Sequence, residues 1–131
     1  MKNLLTQRAA SLGLIAILTS VILFHVLVLV GIIPQDIVWG GRLRTREELV
    51  EFELVSIVIN FIMVLFVSVR AGIINLSIKP ILIRVVLWLM VVLFILNTLG
   101  NLLSQNDMER IIFTPITLLL FVLSLRLAIE H

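Results

Sequence analysis

The chain has 131 residues, of which 61% are hydrophobic and 14% charged, with a formal net charge of +2 and a mean hydropathy of +1.24. A soluble domain carries about a quarter of its residues as charged ones, so this composition excludes an ordinary water-soluble fold, and so small a net charge offers no basic patch suited to nucleic acid. Cysteine is absent, which removes disulfides, thiolate metal sites and CxxC redox chemistry.

Four apolar runs of roughly 16 to 25 residues, each long enough to cross a hydrocarbon layer about 30 Å thick, predict an all-α transmembrane four-helix bundle. Together with their turns they use nearly all of residues 1–131, leaving a single integral membrane domain. The first span covers residues 9–33, behind Lys2 and Arg8. A signal-peptide apolar core is about 7 to 15 residues long and closes on small residues. This run continues through Phe24-His25-Val26-Leu27 to Pro34, so it reads as an uncleaved anchor.

A polar stretch follows, PQDIVWGGRLRTREELVEFE, residues 34–53. Thr45 with Glu48 three positions on is a capping box, which starts the second helix near Arg46 and takes it into the bilayer at about Leu54, for a span over residues 54–74. Trp39, Gly40, Gly41 and Arg42 combine an interfacial aromatic, permissive backbone and charge, as a structured outer loop over the bundle would; a headgroup-level anchor is the simpler alternative. Glu47, Glu48 and Glu51 lie close together, but Arg44 paired with Glu48 at i, i+4 explains them without a metal. Pro80 suits a first helical turn and puts the third span over residues 81–103. Asn106 caps toward Glu109, the fourth span covers residues 111–128, and Pro115 predicts a kink beside Thr114 and Thr117.

Short-loop basic residues set the orientation. With the N-terminus inside, Lys2, Arg8, Arg70, Lys79, Arg84 and Arg126 lie on the inner side against Arg42, Arg44, Arg46 and Arg110 outside, six to four. Seven of the eight acids then fall outside. Both termini are therefore expected on the cytoplasmic side.

At about 1.5 Å of rise per residue, the polar groups within the spans gather in the outer half. His25 lies roughly 6 Å outward of a centre near Val21. Glu53, Ser56 and Asn60 share one helical face at i, i+3 and i+7, Asn97 and Asn101 are an i, i+4 pair, and Thr114 and Thr117 are at i, i+3. Facing inward, these stripes would form an outward-opening polar cup, with His25, Glu53, Asn60, Asn97, Asn101 and Thr117 on its wall and the loop bearing Trp39 and Arg42 above it. The same amides and hydroxyls also serve as hydrogen-bonded glue between membrane helices. His25 is either a neutral packing residue or a ligand contact. The inner halves offer mainly Ser68, Ser124 and arginines able to snorkel to the headgroups.

The strings IIPQDIVWGGRL, TREELVEFE, LNTLGN and FTPITLLL resemble an uncharacterised group of small bacterial four-span integral membrane proteins. The resemblance covers most of the chain and implies a bacterial cytoplasmic membrane, without implying an activity. A looser architectural similarity is to the four-helix sterol-isomerase superfamily, whose pockets use buried carboxylates and histidines; His25 and Glu53 are the comparable groups here. The leading expectation is a non-enzymatic protein whose cup binds a lipid-like or small amphiphilic ligand, with no cofactor and with membrane lipids or a membrane-protein partner around it. One alternative is a membrane-embedded enzyme acting on a lipid-like substrate with His25 and Glu53 as an acid-base pair. Another is an accessory or immunity protein that meets a partner through the outer loop.

Overall fold

The computed structural model describes residues 6–32, 45–104 and 106–130. Among the described residues four helical segments are long and apolar enough to cross a membrane: α1 (Gln7–Leu29), α2 (Arg46–Arg70), α3 (Pro80–Leu102), and α4 (Thr114–Glu130) taken together with the π-helical turn Glu109–Phe113 that leads into it. The chain is an all-α four-helix bundle of the kind its apolar runs require. α1 packs against α2 and α4, α3 packs against α4, and α2 meets α3 over a smaller surface.

Local chemistry sets the helix ends. The Thr6 hydroxyl accepts from the Ala9 amide and opens α1, and Thr45 accepts from Glu48 N at 3.1 Å to open α2 where the capping pattern puts it. Both helices stop earlier than hydropathy alone suggests, α1 at Leu29 and α2 at Arg70. The cause is a glycine just past each end. Gly31 (φ +89°) and Gly72 (φ +78°) adopt left-handed conformations, and the bonds Ile32 N to Leu27 O, Gly31 N to Val28 O, Ile73 N to Ser68 O and Gly72 N to Val69 O close two Schellman motifs. Apolar residues continue beyond these caps, so hydropathy outlasts the helix. Pro80 stands in the first turn of α3, where its missing N–H has no partner to lose.

Near Pro115 the sequence predicts a kink, and the structure has the π-helical turn immediately before it. Proline supplies no N–H to the carbonyl four residues back, and widening the coil by one residue per turn is one way for the chain to accommodate that gap.

One continuous stripe on each helix faces inward, and its chemistry changes with depth. On α2 it reads Leu49, Glu53, Ser56, Asn60, Met63 and Val67, all buried. Leu14 and Leu18 of α1, Leu87 and Met90 of α3, and Leu120 and Leu127 of α4 complete an apolar core nearer the end that carries the N-terminus. Gly13 lets α1 approach α4 closely, since a Cβ there would stand 3.2 Å from Leu123 Cδ1. Outward-facing positions such as Leu23, Val58, Phe61, Leu89 and Leu119 are exposed, the surface that lipid covers in a spanning bundle. Arg126 departs from expectation. It is 4% exposed and packs inside the bundle instead of snorkelling outward.

Candidate functional site

The site begins with two side chains 28 residues apart: His25 Nδ1 and Glu53 Oε2 are hydrogen-bonded across the α1–α2 interface. Helical spacing brings them there. His25 falls seven positions after the buried Leu18 and three before the buried Val28, while Glu53 lies between Leu49 and Ser56 on the inward stripe of α2. Glu53 is completely buried, and the His25 side chain retains 15% exposure. Burying two ionisable groups in a membrane-crossing bundle carries a large desolvation penalty that their pairing offsets. With Nδ1 engaged, Nε2 is the ring nitrogen left for another partner.

Asn60, two turns deeper than Glu53, is 8% exposed and donates its side-chain amide to Ser56 O at 2.7 Å. That bond stays within its own helix, so Asn60 does not tie α2 to a neighbour through it. Its Oδ1 has no hydrogen-bond partner among the described residues.

The α3–α4 side is different. Thr98 Oγ1 lies 3.0 Å from Thr117 Oγ1 and can donate to it or to Phe94 O, while the Asn101 amide donates to Thr117 Oγ1 at 3.2 Å. Thr117 in turn can donate to Phe113 O at 2.9 Å. This is a cross-helix clasp, and it assigns Asn101 and Thr117 to holding helices together. Asn97 was expected to face inward beside Asn101 and does not: it is exposed. On a helical wheel it stands roughly 70° from the centre of the α3 stripe, whereas Thr98 and Asn101 lie within about 30° of it. Thr98 takes the inner place that the amide spacing suggested for Asn97.

The π-helical turn adds two elements that the sequence reading left aside. Glu109 is 5% exposed there, a second buried carboxylate at the end of the bundle that carries the His25–Glu53 pair. It was read only as the partner of a helix cap, and Asn106 Oδ1 does accept from the Glu109 amide at 3.1 Å. The i, i+4, i+8 series Glu109, Phe113, Thr117 is the signal that would have placed it on the inward face. Phe113 packs edge-on against Phe24 at 4.8 Å between ring centroids, so the residue preceding His25 touches the turn. Next to it, Thr114 Oγ1 is buried without a hydrogen-bond partner among the described residues. A buried hydroxyl left unpaired costs roughly 1 to 3 kcal/mol.

Trp39 and Arg42, the expected outer-loop residues of the site, lie outside the described residues. No group of three metal-binding side chains converges among the described residues. Compared with known protein families, curated proteins and solved structures, the chain matches none.

Proposed function

We propose that this chain is an integral protein of a bacterial cytoplasmic membrane, both termini inside, that binds a lipid-like or small amphiphilic ligand at the polar site in the outer half of its bundle. It belongs, in this reading, with the small bacterial four-span proteins its sequence resembles. The observation that carries the reading is the His25–Glu53 pair, an ionisable couple held between two apolar spans where packing alone would select aliphatic side chains. His25 Nε2, the Asn60 Oδ1 and the Thr114 hydroxyl, the last two without a hydrogen-bond partner among the described residues, supply the hydrogen-bonding groups a polar head would meet. Asn101 and Thr117 hold the α3–α4 wall in place.

A second reading rests on the same hydrogen bond. A carboxylate fixing one nitrogen of an imidazole leaves the other oriented for proton transfer, so His25 with Glu53 behind it has the arrangement of a general base acting on a lipid-like substrate. Mass spectrometry of molecules retained through mild detergent purification separates the two. Binding predicts one enriched species that leaves unchanged on incubation and is lost from His25→Gln. Conversion of that species by the wild type and not by His25→Gln selects the enzyme. Equal retention of the same species by wild type and variant, or retention of bulk lipid only, overturns both.

A further inference from the structure

The outer face of α3 is ordered as well as its inner one. Leu82, Leu89, Leu96 and Leu103 recur at every seventh position, with Val86, Leu93 and Gly100 between them, so the series steps alternately by four and three residues. That period of 3.5 keeps all seven on one side of the helix, at the a and d positions of a heptad repeat. The side lies roughly 140° around α3 from its buried stripe. The four leucines are 50%, 62%, 59% and 74% exposed, whereas Ile83, Leu87, Met90, Phe94 and Thr98 fill the core. Hydrocarbon covers an apolar face whatever its period, while a heptad seam is the surface one helix presents to another.

Two further features stand on or beside this seam. Asn97 is exposed, five residues inside the end of α3 at Leu102, and its amide makes no hydrogen bond with the described residues. At about 8 Å along the axis from that end it faces the hydrocarbon, where lipid tails cannot satisfy its donors and acceptor and a neighbouring helix can. Gly100, at position a, stands in open space, with nothing within 4 Å of where its Cβ would be. Asn97, at position e, is next to it on the helix surface. The missing side chain leaves a gap through which the amide reaches a second backbone.

We propose that α3 is the contact between two copies of this chain, paired in parallel about a two-fold axis along the membrane normal. Copies inserted in one membrane share one orientation, so their α3 seams meet at equal depth, and the heptad surface is complementary to itself, as a two-fold contact requires. Leucine at every d position with Val86 at a suits two strands. The Asn97 amide of each copy donates to backbone carbonyls of the facing helix. The exposed seam leaves on the order of 500 Å² to cover on each copy, so the pair buries about 1,000 Å², where specific protein contacts begin. This surface is on the lipid side of α3, away from the His25–Glu53 pair that α1 and α2 hold, and its test does not depend on that pair.

The full-length protein, which has no native cysteine, is reconstituted in vesicles of phosphatidylcholine and phosphatidylglycerol as single-cysteine variants. Oxidation should link Leu89→Cys and Leu96→Cys into disulfide dimers. It should leave Trp88→Cys, exposed on α3 outside the seam, and Leu119→Cys, exposed on α4, largely monomeric. Energy transfer between copies labelled at Ser77→Cys, followed as lipid dilutes them, measures the association. Asn97→Leu and Gly100→Leu should each weaken it about tenfold, and Asn97→Gln should retain most of it. Because the lost bond lies between copies, Asn97→Leu leaves the unfolding of the separate protomer in dilute detergent unchanged or slightly firmer, which distinguishes a lost contact from a damaged fold. Equal linking of Trp88→Cys and Leu89→Cys would reduce the contact to random collision, and energy transfer indifferent to Asn97→Leu would remove the amide from it; either overturns the proposal. Cross-linking of Leu96→Cys in native membranes to a polypeptide of another mass would give the seam to a different protein and overturn the second copy.

Discussion

His25 on α1 and Glu53 on α2 are hydrogen-bonded to each other inside the bundle, with the carboxylate completely buried and the imidazole at the edge of the interior. Such a pair is expensive to break and cheaper to remove whole, because a lone buried charge keeps its desolvation penalty without its compensation. His25→Leu and Glu53→Leu should each cost about 3 kcal/mol or more, and the double variant clearly less than their sum, with a coupling of about 1 kcal/mol or more. Equilibrium unfolding of all four proteins in one detergent gives the cycle. Additive costs would mean the two side chains do not support one another in the folded protein.

Much of this was legible in the chain. Period and length reveal four spans because lipid demands about 20 apolar residues of every crossing helix. The stripe Glu53, Ser56, Asn60 was legible for a similar reason: three polar residues on one face of an otherwise apolar helix have little choice but to turn inward. Asn97 was not. Neighbouring polar residues at positions 97, 98 and 101 leave the inward direction of α3 open to about one residue's rotation, and packing against α4 decides it in favour of Thr98. Glu109 escaped because it was read only as the partner of the Asn106 cap, although its i, i+4, i+8 spacing with Phe113 and Thr117 puts it on the inward face.

That decision on α3 has a measurable consequence. Thr117→Val removes the acceptor for both Thr98 and Asn101 and should destabilise the protein by about 1 kcal/mol, at roughly 0.6 kcal/mol for each lost contact between membrane helices. Asn97→Leu replaces an exposed amide on the lipid-facing side and should leave stability unchanged or slightly higher. Thermal unfolding reads both. A larger loss for Asn97→Leu than for Thr117→Val would show that the amide, and not the hydroxyl, faces α4.

The proposed orientation calls for labelling in intact cells, which the lack of native cysteine makes simple. Single cysteines replacing Ile32 and Asp107, at the two turns on the outer side, should react with a membrane-impermeant thiol reagent. One replacing Ser77, exposed in the connection between α2 and α3, should react only after the cells are opened. The opposite pattern places the His25–Glu53 site in the cytoplasmic half of the membrane.

Two glycines within helices test the packing between α1 and α4. Gly13→Leu puts a branched side chain where even a Cβ would stand 3.2 Å from Leu123 Cδ1, and overpacking of this kind should cost about 1 to 3 kcal/mol. Gly100 has open space where its Cβ would be, so Gly100→Ala should stabilise by up to about 1 kcal/mol through helix propensity alone. Unfolding curves that rank the two variants the other way would contradict the α1–α4 approach.

Thr114 separates a hydroxyl kept for binding from one kept for structure. Its Oγ1 is buried and has no hydrogen-bond partner among the described residues at the junction of the π-helical turn and α4, three residues from a Thr117 hydroxyl that is fully engaged. Removing an unsatisfied buried hydroxyl relieves its desolvation penalty, so Thr114→Val should raise stability by about 1 kcal/mol while Thr117→Val lowers it. If a ligand or its ordered water bonds to Thr114, the same valine should lose the species that the wild type retains through purification, although the fold has become firmer. Gain of stability with loss of retention is the signature of a group held for function against the interest of folding. A Thr114→Val protein that is more stable and still carries the full amount of that species would place the ligand away from the π-helical turn, and would confine the binding site to the α1–α2 side around His25 and Asn60.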